Sequence, residues 1–350
     1  MAINLCTKYG DKLAKLYEAK SFLKGKTSTD WKWDGARHIE LLSVVTQPLN
    51  DYNRAASANR YGTPAELQDL MQDVEITQDK SFSIVIDKGN NTQQGMLKQA
   101  GTVMQQEVGT QVVPTIDKYA LKMFARFAGN VVAASAALSA ANIIAHLVAI
   151  EDKMSDNLVP MENRYAVMAN STVSLFRQAL TNCDNVTDQL LIKGVAGKLG
   201  SLNIVGVPSS WLPTDTLVVA FHKDAVVIPE QISEAKIHED APGISGSLLE
   251  GRYLFEAAVV GAKCGGAYAL VSNGKKCSTS VAIATNTATI TAGNADAAYY
   301  TLDGTDPRYS KTRVYWESGT ISVTAGTIKV VGIKKDGSYG SSDVASATHA

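Results

Sequence analysis

The spacing of hydrophobic and polar positions changes several times along the chain, and each change marks an element. Near the start, Leu13, Leu16, Tyr17 and Leu23 fall at helical spacing and Gly25 closes the run, so a short helix and an arm are predicted. His38 to Thr46 is dense in Ile, Leu and Val, and Val74 to Asp87 alternates through Ile76, Phe82, Ile84 and Ile86. The segment between them, from Asp51 to Leu70, is polar and contains Gly62 and Pro64. This predicts a two-stranded arm with a loose tip, which has little core of its own and must pack on something else.

Helical spacing returns next. Asn91 or Thr92 can cap a long helix in which Met96, Leu97, Ala100, Val103 and Met104 form one apolar stripe. Pro114 suits the first turn of a second helix carrying Ile116, Tyr119, Met123, Phe124 and Phe127. Leu138 to Met154 reads as a third, Ala-rich helix stopped by Asn157 and Pro160, followed by a strand at 164–168 and a helix at 171–180. Between 190 and 270 the pattern is short strands, clearest at Leu199–Val207, Thr216–His222, Ala225–Ile228 and Arg252–Val260. The fold class expected of this first part is therefore α+β. Past the polar linker Ser272–Lys276 only strand and turn signals remain. Strands are predicted at Val281–Ala284, Ala288–Thr291, Ala298–Leu302, Val314–Glu317, Thr320–Val323 and Ile328–Ile333. Turn signals every 8–12 residues over about 70 residues mean a small all-β sandwich.

Composition narrows the function. With 350 residues, 45% of them hydrophobic, the chain can bury two or three cores. Its 33 Lys+Arg against 34 Asp+Glu argue against a dedicated nucleic-acid binder. Residues 1–26 differ: six Lys stand against Asp11 and Glu18, as a solvated face or an arm against a polyanion. No apolar run reaches membrane-spanning length, and the opening residues turn polar without an apolar h-region. Cys6, Cys183, Cys264 and Cys277 are scattered, so free thiols made in a reducing cytoplasm are expected.

Candidate chemistry is sparse. Gly25-Lys26-Thr27 ends like a phosphate-binding loop, but position 20 is Lys where that loop needs Gly. Gly194, Gly197 and Gly200 recur every three residues and suit a tight turn better than a dinucleotide site. Gly243-Ile244-Ser245-Gly246 is one residue short of a nucleophile elbow. His38, His146, His222, His238 and His349 are isolated, and His238-Glu239-Asp240 lacks a second His at metal-binding spacing. Asp303 and Asp306 flank Gly304 in a turn that reads as a turn former rather than a cation site. No catalytic, cofactor or metal residue is assigned, and no enzyme is expected.

Read together, the first 270 residues resemble a tailed-phage major capsid protein of the Hong Kong 97-type fold. Val74–Asp87 resembles the returning strand of that family's extended loop, and 105–127, with Val113-Pro114-Thr115, its spine helix. Asn157-Leu158-Val159-Pro160 with Arg164–Met168 is similar to its peripheral-domain helix-to-strand junction, and Gly197–Val205 to its axial-domain hairpin. Ala298–Pro307 and Thr327–Gly337 are similar to the immunoglobulin-like C-terminal module of chitobiase-type glycosidases, an accessory without catalytic residues.

The resemblance implies a shell domain at 1–272 and a module at 278–350. Within the shell domain it implies an N-arm at 1–37, an extended loop at 38–87, and the spine helix with peripheral and axial domains at 88–272. It further implies hexamers and pentamers of an icosahedral capsid made in a bacterial host, in a virion with a portal and scaffolding or decoration proteins. Double-stranded DNA would be contacted without sequence preference. No cross-link is expected, although Lys80 lies on the presumed loop. The Thr-, Ser- and Lys-rich strands of the module suggest little apolar contact with the shell domain and a chain stopped at Lys276 that still assembles. Its few aromatic candidates, Tyr299, Tyr315, Trp316 and Tyr339, suggest weak glycan affinity. The alternative is a carbohydrate-binding adhesin or phage tail protein that uses the sandwich.

Overall fold

The computed structural model describes residues 18–31, 37–46, 49–55, 58–64, 66–93, 98–181, 197–239, 241–338 and 340–349. The helices are α1 (Lys88–Gln93), α2 (Ala100–Glu107), α3 (Val113–Arg126), α4 (Ile143–Asp156) and α5 (Asn170–Thr181). Strands β1 (His38–Val45), β2 (Gln68–Glu75) and β3 (Gln78–Asp87) come first, then β4 (Asn130–Ala133), β5 (Arg164–Ala169), β6 (Lys198–Leu199) and β7 (Leu202–Val207). They are followed by β8 (Thr216–His222), β9 (Val226–Val227), β10 (Glu230–His238), β11 (Gly246–Phe255), β12 (Ala258–Val259) and β13 (Ala267–Val271). The C-terminal part holds β14 (Ser278–Ala284), β15 (Thr287–Gly293), β16 (Ala297–Thr301), β17 (Val314–Trp316), β18 (Thr320–Ser322), β19 (Gly326–Ile333) and β20 (Ala345–His349).

β1 and β2 form an antiparallel ribbon, from His38 opposite Glu75 to Val45 opposite Gln68. The expected return strand Val74–Asp87 is divided. Only Val74 and Glu75 belong to the ribbon, while β3 pairs along its length with β11, which carries β10 on its other side. The break falls at Thr77, whose N–H and hydroxyl both go to the carboxylate of Glu256 instead of a ladder. Lys80 therefore lies opposite Tyr253 within the three-stranded sheet, not on the arm.

Pro114 does not begin a separate helix. Residues 108–112 make a π-helical turn, and the backbone stays helical at Val112 and Val113, so α2 and α3 form one rod. Pro114 has no N–H, and that of Val113 goes to Val108, which leaves the Gly109 carbonyl over. It accepts the N–H of Ala19 at 2.9 Å, and a side chain at 109 would run into Glu18. Asn91 and Thr92 do not cap this rod. They sit in α1, with Thr92 Oγ1 on Lys88 O and Asn91 bridging to Lys98. Met96 and Leu97 of the expected stripe, like the expected helix before residue 18, lie outside the described residues.

The central sheet has the order β4-β13-β8-β5-β7-β6, with β5 parallel to β7 and antiparallel to β8. It is covered on both faces, so its strands read as unbroken apolar runs. Val167, Val219 and Phe221 point to α3 and Leu23, while Ala166, Met168, Val218 and Ala220 point to α4 and α5. The strands within 157–168 and 197–205, segments expected in different domains, thus belong to one sheet through the β5–β7 pair.

Under α4 lies Arg164, fully buried. It donates to the carbonyls of Pro160 (2.9 Å) and Val159 (2.5 Å) and to the hydroxyls of Ser155 and Ser201. Gly200 turns the β6–β7 hairpin at φ +54°, with the Glu151 carboxylate where a Cβ would stand, as the tight-turn reading of these glycines expects.

Past Lys276, sheets β14-β15-β18 and β17-β16-β19-β20 face each other across Ala288, Ile290, Ala298, Ile321, Ile328 and Val330. The last strand, Ala345–His349, was not predicted, because A-S-A-T-H carries no large apolar side chain.

Candidate functional site

The ribbon has two unlike faces. Leu41, Gln72 and Val74 point inward, and Leu41 and Val74 share an apolar cluster with Val227, Ala258 and Val260. The Gln72 amide reaches Val259 O at 2.9 Å and accepts the N–H of Gly261 at 2.8 Å. Beyond Glu40 the opposite face is uncovered: Leu42 (62% exposed) and Val44 stand beside Met71, the partner of Leu42 in the register. Toward the tip Leu49 is fully exposed and Tyr61 84% exposed, with Tyr61 edge-on to Tyr52 at 5.0 Å. A run of large apolar side chains on a thin ribbon is an unfinished interface.

The root of this arm is fixed by one buried carboxylate. Glu256, 3% exposed, accepts from Thr77 twice, from the phenol of Tyr119 on α3, and from Ala257 N. Burial, with the carboxylate beside it second, pushes the Tyr119 phenol far above its ordinary pKa, so it stays a donor. Glu256 thereby joins arm, helix rod and the end of β11.

The C-terminal module reaches the same place through the turn Asp306–Lys311. The guanidinium of Arg308 is held by Asp306 at 2.7 Å and donates to the carbonyls of Ala128 (2.9 Å) and Gly129 (2.8 Å). The Tyr309 hydroxyl donates to Phe127 O at 2.6 Å, and its ring, 3% exposed, sits in the core between α3 and the central sheet. Phe127 caps α3 and Ala128 and Gly129 follow it directly, so the guanidinium sits near the helix C-terminus, where a cation is favoured. Lys311 continues to the arm, its N–H on Met71 O at 3.1 Å and its ammonium on Glu40. The expectation of little apolar contact is corrected: Tyr309 of this turn enters the main core, and Gly340 lies against Val131 and Val271.

The N-terminal segment is pinned by Asp117 of α3, 2% exposed, which accepts Ser21 Oγ and Phe22 N, both at 2.8 Å. Leu23 is then fully buried, and Ser28 N meets Val226 O at 2.9 Å. Burial raises the Asp117 pKa. A raised carboxylate stabilises the fold below its unfolded pKa and loses that contribution as pH rises through the folded value. Asp117→Ala is expected to cost ~1–3 kcal/mol and to open 18–31 to protease. Asp117→Asn removes that loss, so stability should rise more steeply with pH across the acid range than in the wild type, and an unchanged slope in pH-dependent melts contradicts this.

The other sequence candidates do not converge. Lys26 of Gly25-Lys26-Thr27 donates to Phe22 O and stands over the Tyr165 ring. Gly243–Ser245 lies in the β10–β11 loop and Gly246 opens β11, so the segment is not at a strand-to-helix turn. His38 pairs with Asp73 at 3.0 Å and His238 faces Glu250 at 3.6 Å, both in the open, while His146 lies within α4. His222 is buried, which lowers its pKa, and His349 bonds Thr285 O. Asp303 is taken up by Thr305 and Thr312, and Asp306 by Arg308. Cys264 and Cys277 are free, and Cys6, Cys183, Gly194 and Asp240 lie outside the described residues. Among the described residues no metal-ligating group of three forms, and no helix is long and apolar enough to cross a membrane. Sequence reasoning missed Arg308, Tyr309, Lys311, Glu256 and Asp117, whose partners lie far away along the chain.

Residues 288–349 match the family model described as Fn3 associated. No curated protein sequence matches the chain. Among solved structures it is similar to that of Mycobacterium phage Che8, with TM-score 0.63 and 20% identity over 77% of this chain and 98% of the other. The capsid structure of cyanophage P-SCSP1u matches with TM-score 0.62 and 12% identity over 77% and 93%. The mature capsid of bacteriophage PhiM1 matches with TM-score 0.58 and 15% identity over 78% and 93%. The chain has the fold of phage capsid structures.

Proposed function

We propose that this chain is the major capsid protein of a tailed double-stranded DNA phage, a structural subunit and not an enzyme. One observation carries the reading: on a phage-capsid fold, the ribbon leaves the outer face of Leu42, Val44 and Met71 and the tip at Leu49 and Tyr61 uncovered. A second copy is the partner that covers such an arm in a closed lattice, and a shell subunit needs contacts of this kind rather than a pocket. Near-zero net charge lets many copies pack without strong repulsion. The Lys-rich residues 1–26 suit sequence-independent contact with packaged DNA. The shell domain would end near residue 272, with an immunoglobulin-like module from 278 on the outer surface. The portal and scaffolding or decoration proteins would be further partners.

The test is to delete residues 57–67, the arm tip. The subunit is expected to stay soluble and folded, with melting unchanged, and to form no normal shells. Closed particles of native size from the deletion variant rule out this segment as an intersubunit arm.

A further inference from the structure

We propose that the C-terminal module is the brace that aims the arm. The turn Asp306–Lys311 holds two bodies at once. Arg308 and Tyr309 close the end of α3 through the carbonyls of residues 127–129, and Lys311 holds the ribbon at Met71 O and Glu40. Arg308 and Lys311 are three residues apart, so at most ~11 Å of chain joins the two grips. Helix α3 packs into the main core, whereas the ribbon rests by its inner face at Leu41, Gln72 and Val74 on β9, β12 and residues 260–261. Lys311 supplies the grip from the module side. A ribbon held at both sides of its root arrives at a neighbour already oriented, and less ordering remains to be done on association. Only this last consequence rests on the capsid reading.

Hydrogen exchange by mass spectrometry on full-length, unassembled protein tests the brace. In Arg308→Ala, amides of 38–45 and 68–75 are expected to exchange ~10-fold faster, while those of β5 and β7 stay as in wild type. Lys311→Glu sets two acids together and is expected to speed the same ribbon amides by a few-fold, with Glu40→Lys added to it restoring them. This pair keeps the test alive if Arg308→Ala does not fold. Wild-type ribbon exchange in both variants overturns the brace. A rise shared equally by the ribbon and β5–β7 also overturns it, since that is general destabilisation. Either failure leaves shell formation, read separately by microscopy, untouched.

Discussion

A chain ended at Lys276 is expected to lose most of its usable stability. Without the module, Phe127, Ala128 and Gly129 lose the donors that close α3, and the Tyr309 ring leaves a socket it fills almost completely. Burying a ring of that kind is worth roughly 1.5–3 kcal/mol, and each net hydrogen bond about 1 kcal/mol. The turn alone therefore contributes about 5 kcal/mol, comparable with the lower end of what a whole domain has to spare. The backbone of Gly340 also packs on Val131 and Val271, two strands of the central sheet, and this contact goes too. Thermal melts of the truncated and full chains check this. A fall of ~10 °C or more is expected, with much of the truncated protein insoluble. Melting within a degree or two of the full chain shows instead that the module is dispensable.

Arg164→Met is expected to be nearly as damaging. The side chain is fully buried, and two of its acceptors are the carbonyls of Val159 and Pro160, in the turn between α4 and β5. That turn carries Leu158 and Asn163 at φ +55° and +54°, a conformation that asparagine tolerates and that is costly for leucine. Methionine fills the space but donates nothing, so buried acceptors are left dry at ~1–3 kcal/mol each. A loss of ~3–5 kcal/mol in urea denaturation is expected. Arg164→Lys should recover part of it, because an ammonium cannot reach every acceptor that the guanidinium fork serves. Wild-type stability in Arg164→Met means that the turn finds its donors elsewhere.

The sequence made some levels of this structure legible and hid others. Apolar spacing located α3, α5, β8 and the sandwich strands other than β20, because their apolar positions face one local core. The arm was legible as two strand-like runs, yet its return strand was misplaced. The ladder breaks at Thr77 because Glu256, far along the chain, takes its N–H. Strand β10 escaped notice for a different reason. Its residues face solvent almost throughout, so Glu230–His238 lacks the alternation that marks a half-buried strand. The site was the least legible part. Arg308, Tyr309 and Lys311 look like turn residues after Asp306-Pro307, and nothing local tells that they close a helix some 180 residues earlier.

The most direct measurement of the central proposal is electron microscopy of the purified full-length protein under assembly conditions. Closed shells of uniform diameter built from hexamers and pentamers are expected, with the ribbon of each subunit lying across a neighbour and covering Leu42, Val44 and Leu49. Monodisperse monomers at every concentration and salt tried, or shells in which this ribbon touches no neighbouring subunit, contradict it.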